Sequence, residues 1–198
     1  MSVGKREENK QRTRDALEEA AWSLLSELGF DATTVSAIAA RVGVSERTFY
    51  RYFESKEAVL FGAWREQLDE FASFIRSRPK DEAVLLSLQE FSRAWALVHQ
   101  GGLARGRLRR AIAAESATVR DYERTHIVET LRERILAVVG DRLGVLPSED
   151  FRVPLLTGLF IELLMSAKSK WLEDGGSLLS QIDAAWDAAR ALELLGER

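Results

Sequence analysis

The chain contains no cysteine, only three prolines (Pro79, Pro147 and Pro154) and only two histidines (His99 and His126) among its 198 residues. Without cysteine there are no disulfides, no thiolate metal sites and no thiol nucleophile, and two histidines so far apart in sequence offer little to a zinc ion. His126 has no second ligand close by, so no metal site is expected. No phosphate loop, nucleophile motif or metal-spaced cluster is present, and neither an enzyme nor a cofactor is expected. Long hydrophobic runs are missing too: charges interrupt every apolar stretch before it spans a bilayer, so no membrane partner is expected. The N-terminal MSVGKREENKQRTR is polar and lacks the apolar core of a signal peptide, from which a cytoplasmic location is expected. Nor is there an excess of positive charge. Lys and Arg number 28 against 31 Asp and Glu, a net charge of -3, which argues against coating nucleic acid by bulk attraction. What is there, 46% hydrophobic and 30% charged residues, suits a folded chain of one large domain or two small ones.

Apolar residues recur at three- and four-residue spacing almost everywhere and no period-2 run is sustained, so the fold is expected to be all-α. Leu17, Ala20, Ala21, Leu24, Leu25 and Leu28 form one stripe ended by Gly29. Two short helices fit Val35 to Val42 and Glu46 to Tyr52, with Thr34 and Ser45 as N-caps and Gly43 in the turn. Ser55 caps a helix expected to run to about Arg78, before Pro79. Further on, Val84, Leu88, Phe91, Trp95 and Val98 define a helix ended by Gly101 and Gly102. Helices around Leu103 to Glu115, from about Thr118 to Leu143, from Ser148 to Leu172 and from Ser177 complete the chain.

Residues 30–61, FDATTVSAIAARVGVSERTFYRYFESKEAVLF, carry the most specific signal. Two helices too short to be stable alone flank a Gly-Val-Ser turn, the pattern of a helix-turn-helix. Ile38, Val42, Val44, Phe49 and Tyr52 can share a small core, Ala39 is small where the helices cross, and Gly43 permits the turn. The second helix then presents Glu46, Arg47, Thr48, Tyr50 and Arg51, groups suited to base edges and phosphates. Tyr52 stays open between two roles, a core ring and a hydroxyl reaching a phosphate. The basic stretch Lys5, Arg6, Lys10, Arg12 and Arg14 is open between a backbone-tracking arm and a solvated, frayed terminus.

Through GF-DATTV-IA-GVS-TFYRYF-SKEAVL, in order and spacing, the first 65 or so residues resemble the TetR family of bacterial transcriptional regulators. The resemblance implies an N-terminal three-helix DNA-binding domain (residues 1–55), a connecting helix shared by both domains (56–80), and a C-terminal helical domain that binds a small effector and dimerises (81–198). It also implies phosphate contacts from Thr34, Tyr50, Tyr52 and Lys56, and groove-facing or base-reading roles for Ser45, Arg47, Thr48 and Arg51. Many relatives have Lys-Gly-Thr where this chain has Glu46-Arg47-Thr48, so their operator sequences do not transfer.

Past residue 80 the reading comes from helix faces. VPLLTGLFIELLMSA is apolar nearly all round, with Glu162 as its single charge, as expected of a helix buried on several sides. With the last helix, carrying Ile182 and Trp186, it could form a four-helix dimer interface of the family kind, Gly158 allowing close approach; completing a monomer core is the alternative. For the effector the family places a pocket among the middle helices, where the candidates are Trp64, Phe71, Phe91, Trp95, Leu108, Ile112, Tyr122 and His126, each of which could equally be core. Arg105, Arg107, Arg109 and Arg110 form a guanidinium cluster that could hold an anionic head group or simply be solvated. RLRRAIAAES and Lys-Trp-Leu loosely resemble TetR proteins that bind fatty acyl-CoA. The expected function is a homodimeric, ligand-responsive repressor released from a palindromic double-stranded operator by a small apolar, acyl-CoA or lipid-like effector. The alternative is a helix-turn-helix protein whose C-terminal domain binds a protein partner.

Overall fold

The computed structural model describes residues 2–62 and 64–192, with side chains from residue 8 onward, so the Lys5 and Arg6 part of the basic arm lies outside the described side chains. Those residues form eleven α-helices, one 3-10 turn and one π-helical stretch, with no strand among them. Two compact units result: Met1–Ala63 with Leu108–Tyr122, and Trp64–Arg107 with Glu123–Arg198.

The first unit contains α1 (Ser2–Leu28), α2 (Val35–Val42), α3 (Glu46–Tyr50), α4 (Lys56–Val59), the second half of α7 (Leu103–Glu115) and α8 (Ala117–Tyr122). Hydroxyls start the short helices. Thr34, Ser45 and Ser55 each accept the backbone N–H three residues on, from Ala37, Thr48 and Ala58. Each satisfies a donor that the first helical turn leaves without a partner. Gly43 ends α2 at φ 75°, a left-handed conformation that glycine adopts without steric cost. The core gathers Leu17, Leu24 and Leu25 of α1, Ile38 and Ala39 of α2, and Phe49, all wholly or nearly shielded from solvent. Val42, Val44 and Tyr52, expected in that core, are half-buried, and Leu28 is exposed.

One expected helix is two. The run from Ser55 to about Arg78 stops at Val59, turns through Leu60 to Gly62 and restarts as α5 (Trp64–Ser77). Gly62 takes φ 53° and its carbonyl accepts the Arg14 guanidinium at 3.0 Å, which takes the chain out of the helical path. The compact units therefore part after Ala63, and residues 108–122 group with the helix-turn-helix although the sequence places them beyond residue 80.

The second unit holds α5, α6 (Val84–His99), the 3-10 turn Gln100–Gly102, the start of α7, a π-helical stretch Glu123–Val128, α9 (Glu129–Leu143), α10 (Arg152–Asp174) and α11 (Leu178–Ala191). The helix expected from Thr118 to Leu143 is thus interrupted by six π-helical residues. The core is built from Phe71, Leu88, Ile135, Phe160, Trp171, Ile182 and Trp186. The Trp186 indole donates to Ser92 Oγ at 2.9 Å. Arg107 closes the C-terminus of α10, donating to the Leu172 carbonyl at 2.7 Å and the Glu173 carbonyl at 3.1 Å.

Candidate nucleic-acid interface

The presenting surface is built by a chain of short-range constraints. Val44 N–H returns to the Ala39 carbonyl at 3.0 Å across the Gly43 turn, which sets where α3 begins. Ser45 accepts from Thr48 N–H at 3.2 Å, and the two hydroxyls meet at 3.0 Å. Phe49, fully buried, pins α3 from beneath; its ring meets Phe53 and, edge-on, Tyr50, both at 5.5 Å. With Phe49 inward, helical spacing turns Glu46, Arg47 and Tyr50 outward, and Arg51 follows at the C-cap. The helix ends at Tyr50, two residues earlier than its sequence pattern suggests.

The cations around α3 differ in how far they are committed. Arg41 makes a bidentate pair with Glu27, at 2.9 and 3.0 Å, joining α2 to α1. The Arg41 guanidinium, with help from the Ser23 hydroxyl, holds the Glu27 carboxyl well below its ordinary 4.5, at about 2. Arg51 lies over the Tyr52 ring at 5.1 Å and donates to its hydroxyl at 3.2 Å, so the two form a preassembled donor group. Lys56 donates to the Phe30 carbonyl at 2.7 Å and the Thr33 carbonyl at 2.9 Å, above the Phe30 ring. Two of its three N–H donors thus hold the α1–α2 turn. Arg47 is exposed and makes no hydrogen bond or ion pair among the described residues. Thr34, Tyr50 and Arg51 are exposed, while Thr48 and Tyr52 are half-buried.

The expected effector residues fall into both units. In the first, Leu108 is half-buried and Ile112 buried. Tyr122 is also buried; its hydroxyl donates to Glu54 at 2.7 Å and its ring stacks on Phe61 at 5.5 Å. Arg109 lies over the Phe61 ring, 5.3 Å from its centre, and donates to the Leu60 carbonyl at 3.3 Å. In the second unit, Phe71 and Phe91 meet at 4.9 Å, joined by Phe160 and Phe74, which the sequence reading does not select. Trp95 stacks on His99 at 4.7 Å, Trp64 carries the Arg65 guanidinium at 5.0 Å, and exposed His126 meets the Thr125 hydroxyl at 2.8 Å. Within the arginine cluster, Arg107 and Arg109 hold backbone carbonyls. The contacts of Tyr122 with Glu54 and Arg109 with Leu60 join residues 68 and 49 positions apart, a separation no local pattern reveals. Among the described residues there is no cluster of potential metal ligands, and no helix is long and apolar enough to cross a membrane.

The family model described as bacterial regulatory proteins, tetR family, matches residues 17–63. The HTH-type transcriptional regulator TcmR of Streptomyces glaucescens is 30% identical over 195 residues, covering 94% of this chain and 84% of its own length. Among solved structures, Thermus thermophilus FadR, a TetR family transcriptional repressor in complex with lauroyl-CoA, superposes with a TM-score of 0.59 at 22% identity, over 93% of this chain and 96% of its own. Bacillus subtilis FadR in complex with stearoyl-CoA gives 0.58 at 18% identity, over 92% and 98%. At those identities the two structures establish the shared fold, which includes an N-terminal helix-turn-helix and a C-terminal helical domain.

Proposed function

The chain belongs to the TetR family of bacterial regulatory proteins, a DNA-binding transcriptional regulator, and on that premise we propose that it is a homodimeric repressor released from a palindromic operator by a small apolar effector. The observation that carries the reading is α3, capped by Ser45, anchored by buried Phe49 and presenting Arg47, Tyr50 and Arg51 outward. Arg47, with its guanidinium uncommitted, is the base-reading residue, and Arg51 with Tyr52 and Tyr50 serve the flanking phosphates. Thr34, Ser45 and Thr48 place backbone and hydroxyls at the groove edge. Lys56 acts chiefly by holding the α1–α2 turn, leaving one donor for a phosphate. With Arg41 and Lys56 committed to internal contacts and net charge -3, affinity comes from two half-sites rather than bulk attraction.

A second copy of the chain supplies the other half-site. Phe151 at the N-cap of α10 and Leu155 within it, 86% and 69% exposed, begin an outward stripe that continues along the helix through Gly158, Glu162 and Met165. A Cβ built at Gly158 meets nothing within 4 Å, so this face has room for a close helix. Pairing α10 and α11 with their copies covers it and sets two recognition helices about 34–36 Å apart. A protein partner would occupy the same stripe, and a monomer in solution that captures no second copy would favour that reading.

The effector enters the second unit, whose interior is apolar and aromatic. The complexes of the two FadR proteins with lauroyl-CoA and stearoyl-CoA support an acyl-CoA or lipid-like class. Coupling runs through α8, which ends at Tyr122 in the first unit and continues directly into the π-helical Glu123–Val128 of the second. Tyr122 is bonded to Glu54, four residues past the end of α3, so a shift of this helical run reaches the reading head. The effect is a difference in effector affinity between DNA-competent and incompetent states. Selection of bound sequences from a random DNA pool by the purified dimer tests the reading directly. A palindrome should emerge, with Arg47→Ala relaxing the preference at one base pair per half-site by about 1–3 kcal/mol. Unchanged operator affinity in Arg47→Ala would refute the docking of α3.

A further inference from the structure

Among the described residues, four polar side chains are completely shielded from solvent: Thr33, Ser87, Ser92 and Thr157. Three of them hold partners. Thr33 donates to the Gly29 carbonyl at 2.7 Å, Ser87 to the Glu82 carboxylate at 2.6 Å, and Ser92 to the Gln89 carbonyl at 2.6 Å while accepting from Trp186. Thr157 Oγ1 has no hydrogen-bond partner among the described residues. A helical threonine normally finds the carbonyl four residues back, and a buried hydroxyl without a partner costs stability that an isosteric valine would not.

The position of Thr157 explains what that hydroxyl could serve. It lies on α10 one turn after Val153 and three residues before Phe160, both buried, so Thr157 and Phe160 are neighbours on one helix face. The Phe160 ring stacks on Phe71 at 5.6 Å and lies 6.3 Å from Phe91, which Phe74 meets edge-on at 5.5 Å. Phe71 and Phe160 are buried, whereas Phe74 and Phe91 are only half-buried. The four rings therefore grade from the interior of α10 to the surface of the unit. Among the described residues no charged side chain is buried; the Arg78 guanidinium, paired with Glu82, lies over the outer Phe74 ring at 5.6 Å.

We infer that Thr157 is the specificity-determining residue of the effector site, and that the effector is a flat apolar molecule bearing a neutral hydroxyl or carbonyl oxygen that bonds to it. This rests on the reading above that a small apolar effector enters the second unit, and puts a planar class in place of the acyl-CoA class. A hydroxyl both donates and accepts, so either oxygen satisfies it. A carboxylate is disfavoured at this depth because the guanidinium at the edge of the cluster, Arg78, is already paired with Glu82. A saturated hydrocarbon tail fills space but leaves Thr157 as it was. A planar ring system instead takes up the stacked and edge-on contacts that the four phenylalanines already make among themselves. Entry requires the half-buried rings of Phe74 and Phe91 to swing, so the ligand selects a minor, open population.

Three probes with one ring system test this on the full-length protein: naphthalene, 2-naphthol and 2-naphthoate, by titration calorimetry. The wild-type chain is expected to bind 2-naphthol roughly three- to tenfold more tightly than naphthalene, the range of one neutral hydrogen bond, and 2-naphthoate least. Thr157→Val should abolish the naphthol preference while melting no lower than wild type, and Thr157→Ser should retain it. A naphthol preference that survives in Thr157→Val, or none in the wild type, overturns the assignment. Operator release by lauroyl-CoA, equal in wild type and Thr157→Val and without any naphthol preference, overturns it while leaving the effector reading standing. If none of the probes, lauroyl-CoA included, binds the protein or releases the operator, both readings fall.

Discussion

The two compact units differ in where they put most of their buried polar side chains. In the helix-turn-helix unit polar side chains sit at helix starts and turns: Thr34, Ser45 and Ser55 cap helices of eight, five and four residues, and Lys56 and Arg14 hold the carbonyls of turns. Helices that short do not persist alone, so the caps and the Phe49 anchor are what make α3 a rigid reader. In the second unit the helices are long enough to be held by apolar packing. There, besides the cap that Arg107 makes on α10, polar groups also lie inside, as Ser87, Ser92 and Thr157, with Trp186 hydrogen-bonded within the core. A reading head needs fixed geometry, whereas the unit proposed to admit an effector would need polar groups where a ligand can meet them.

The largest effect should come from breaking the reading head. Phe49→Ala removes a fully buried ring between Tyr50 and Phe53 and is expected to cost about 3–5 kcal/mol, with operator binding lost. Trp22 is the single tryptophan of residues 1–63 and 108–122, the other four lying in the second unit, so fluorescence unfolding with and without Trp22→Phe separates the two. Equal loss in both units would show that they do not differ as described. A smaller effect is expected from Trp186→Phe, which deletes the indole donor to Ser92 in the second core. It should lower the second unit's stability by about 2 kcal/mol and leave the operator affinity of the unliganded protein within about twofold. A parallel loss of operator affinity would make the reading head dependent on that core.

The same contrast governs what was legible in the sequence. The bounds of α2 follow from Thr34 and Gly43, and the composition of the presenting surface from the spacing around Phe49, because caps and turns are local. The break at Gly62 was not legible: AVLFGAW reads as a continuous apolar helix in which one glycine is tolerated, and the Arg14 contact that stabilises the turn comes from 48 residues away. Residue types near α3 were legible but their commitments were not. Lys56 and Arg41 look like free cations until folding brings the Phe30 and Thr33 carbonyls to one and Glu27 to the other. The ring cluster shows the same limit, since the family's placement of a pocket among the middle helices selects Phe71 and Phe91 yet gives no reason to add Phe160 or the hydroxyl of Thr157.

The smallest expected effect concerns pH, and it distinguishes the units by an ion pair in each. Glu27 is held at about 2 by Arg41 in the first unit, and Arg78 with the Ser87 hydroxyl lowers Glu82 in the second. A carboxyl whose folded value lies below its unfolded one stabilises the fold above the unfolded value, near 4.5 for Glu27. That contribution drains away as pH falls toward 2, because the unfolded chain takes up its proton first. Glu27→Gln should therefore flatten the decline in melting temperature between about pH 4.5 and 2 for the transition reported by Trp22. The change should be modest and shrink in high salt, since Glu27 and Arg41 remain 49% and 41% exposed and water screens them. Glu82→Gln should act on the transition of the second unit instead. If Glu27→Gln alters the transition seen in the Trp22→Phe background, acid unfolding crosses from one unit to the other, and the separation between them is an equilibrium property of neutral pH only.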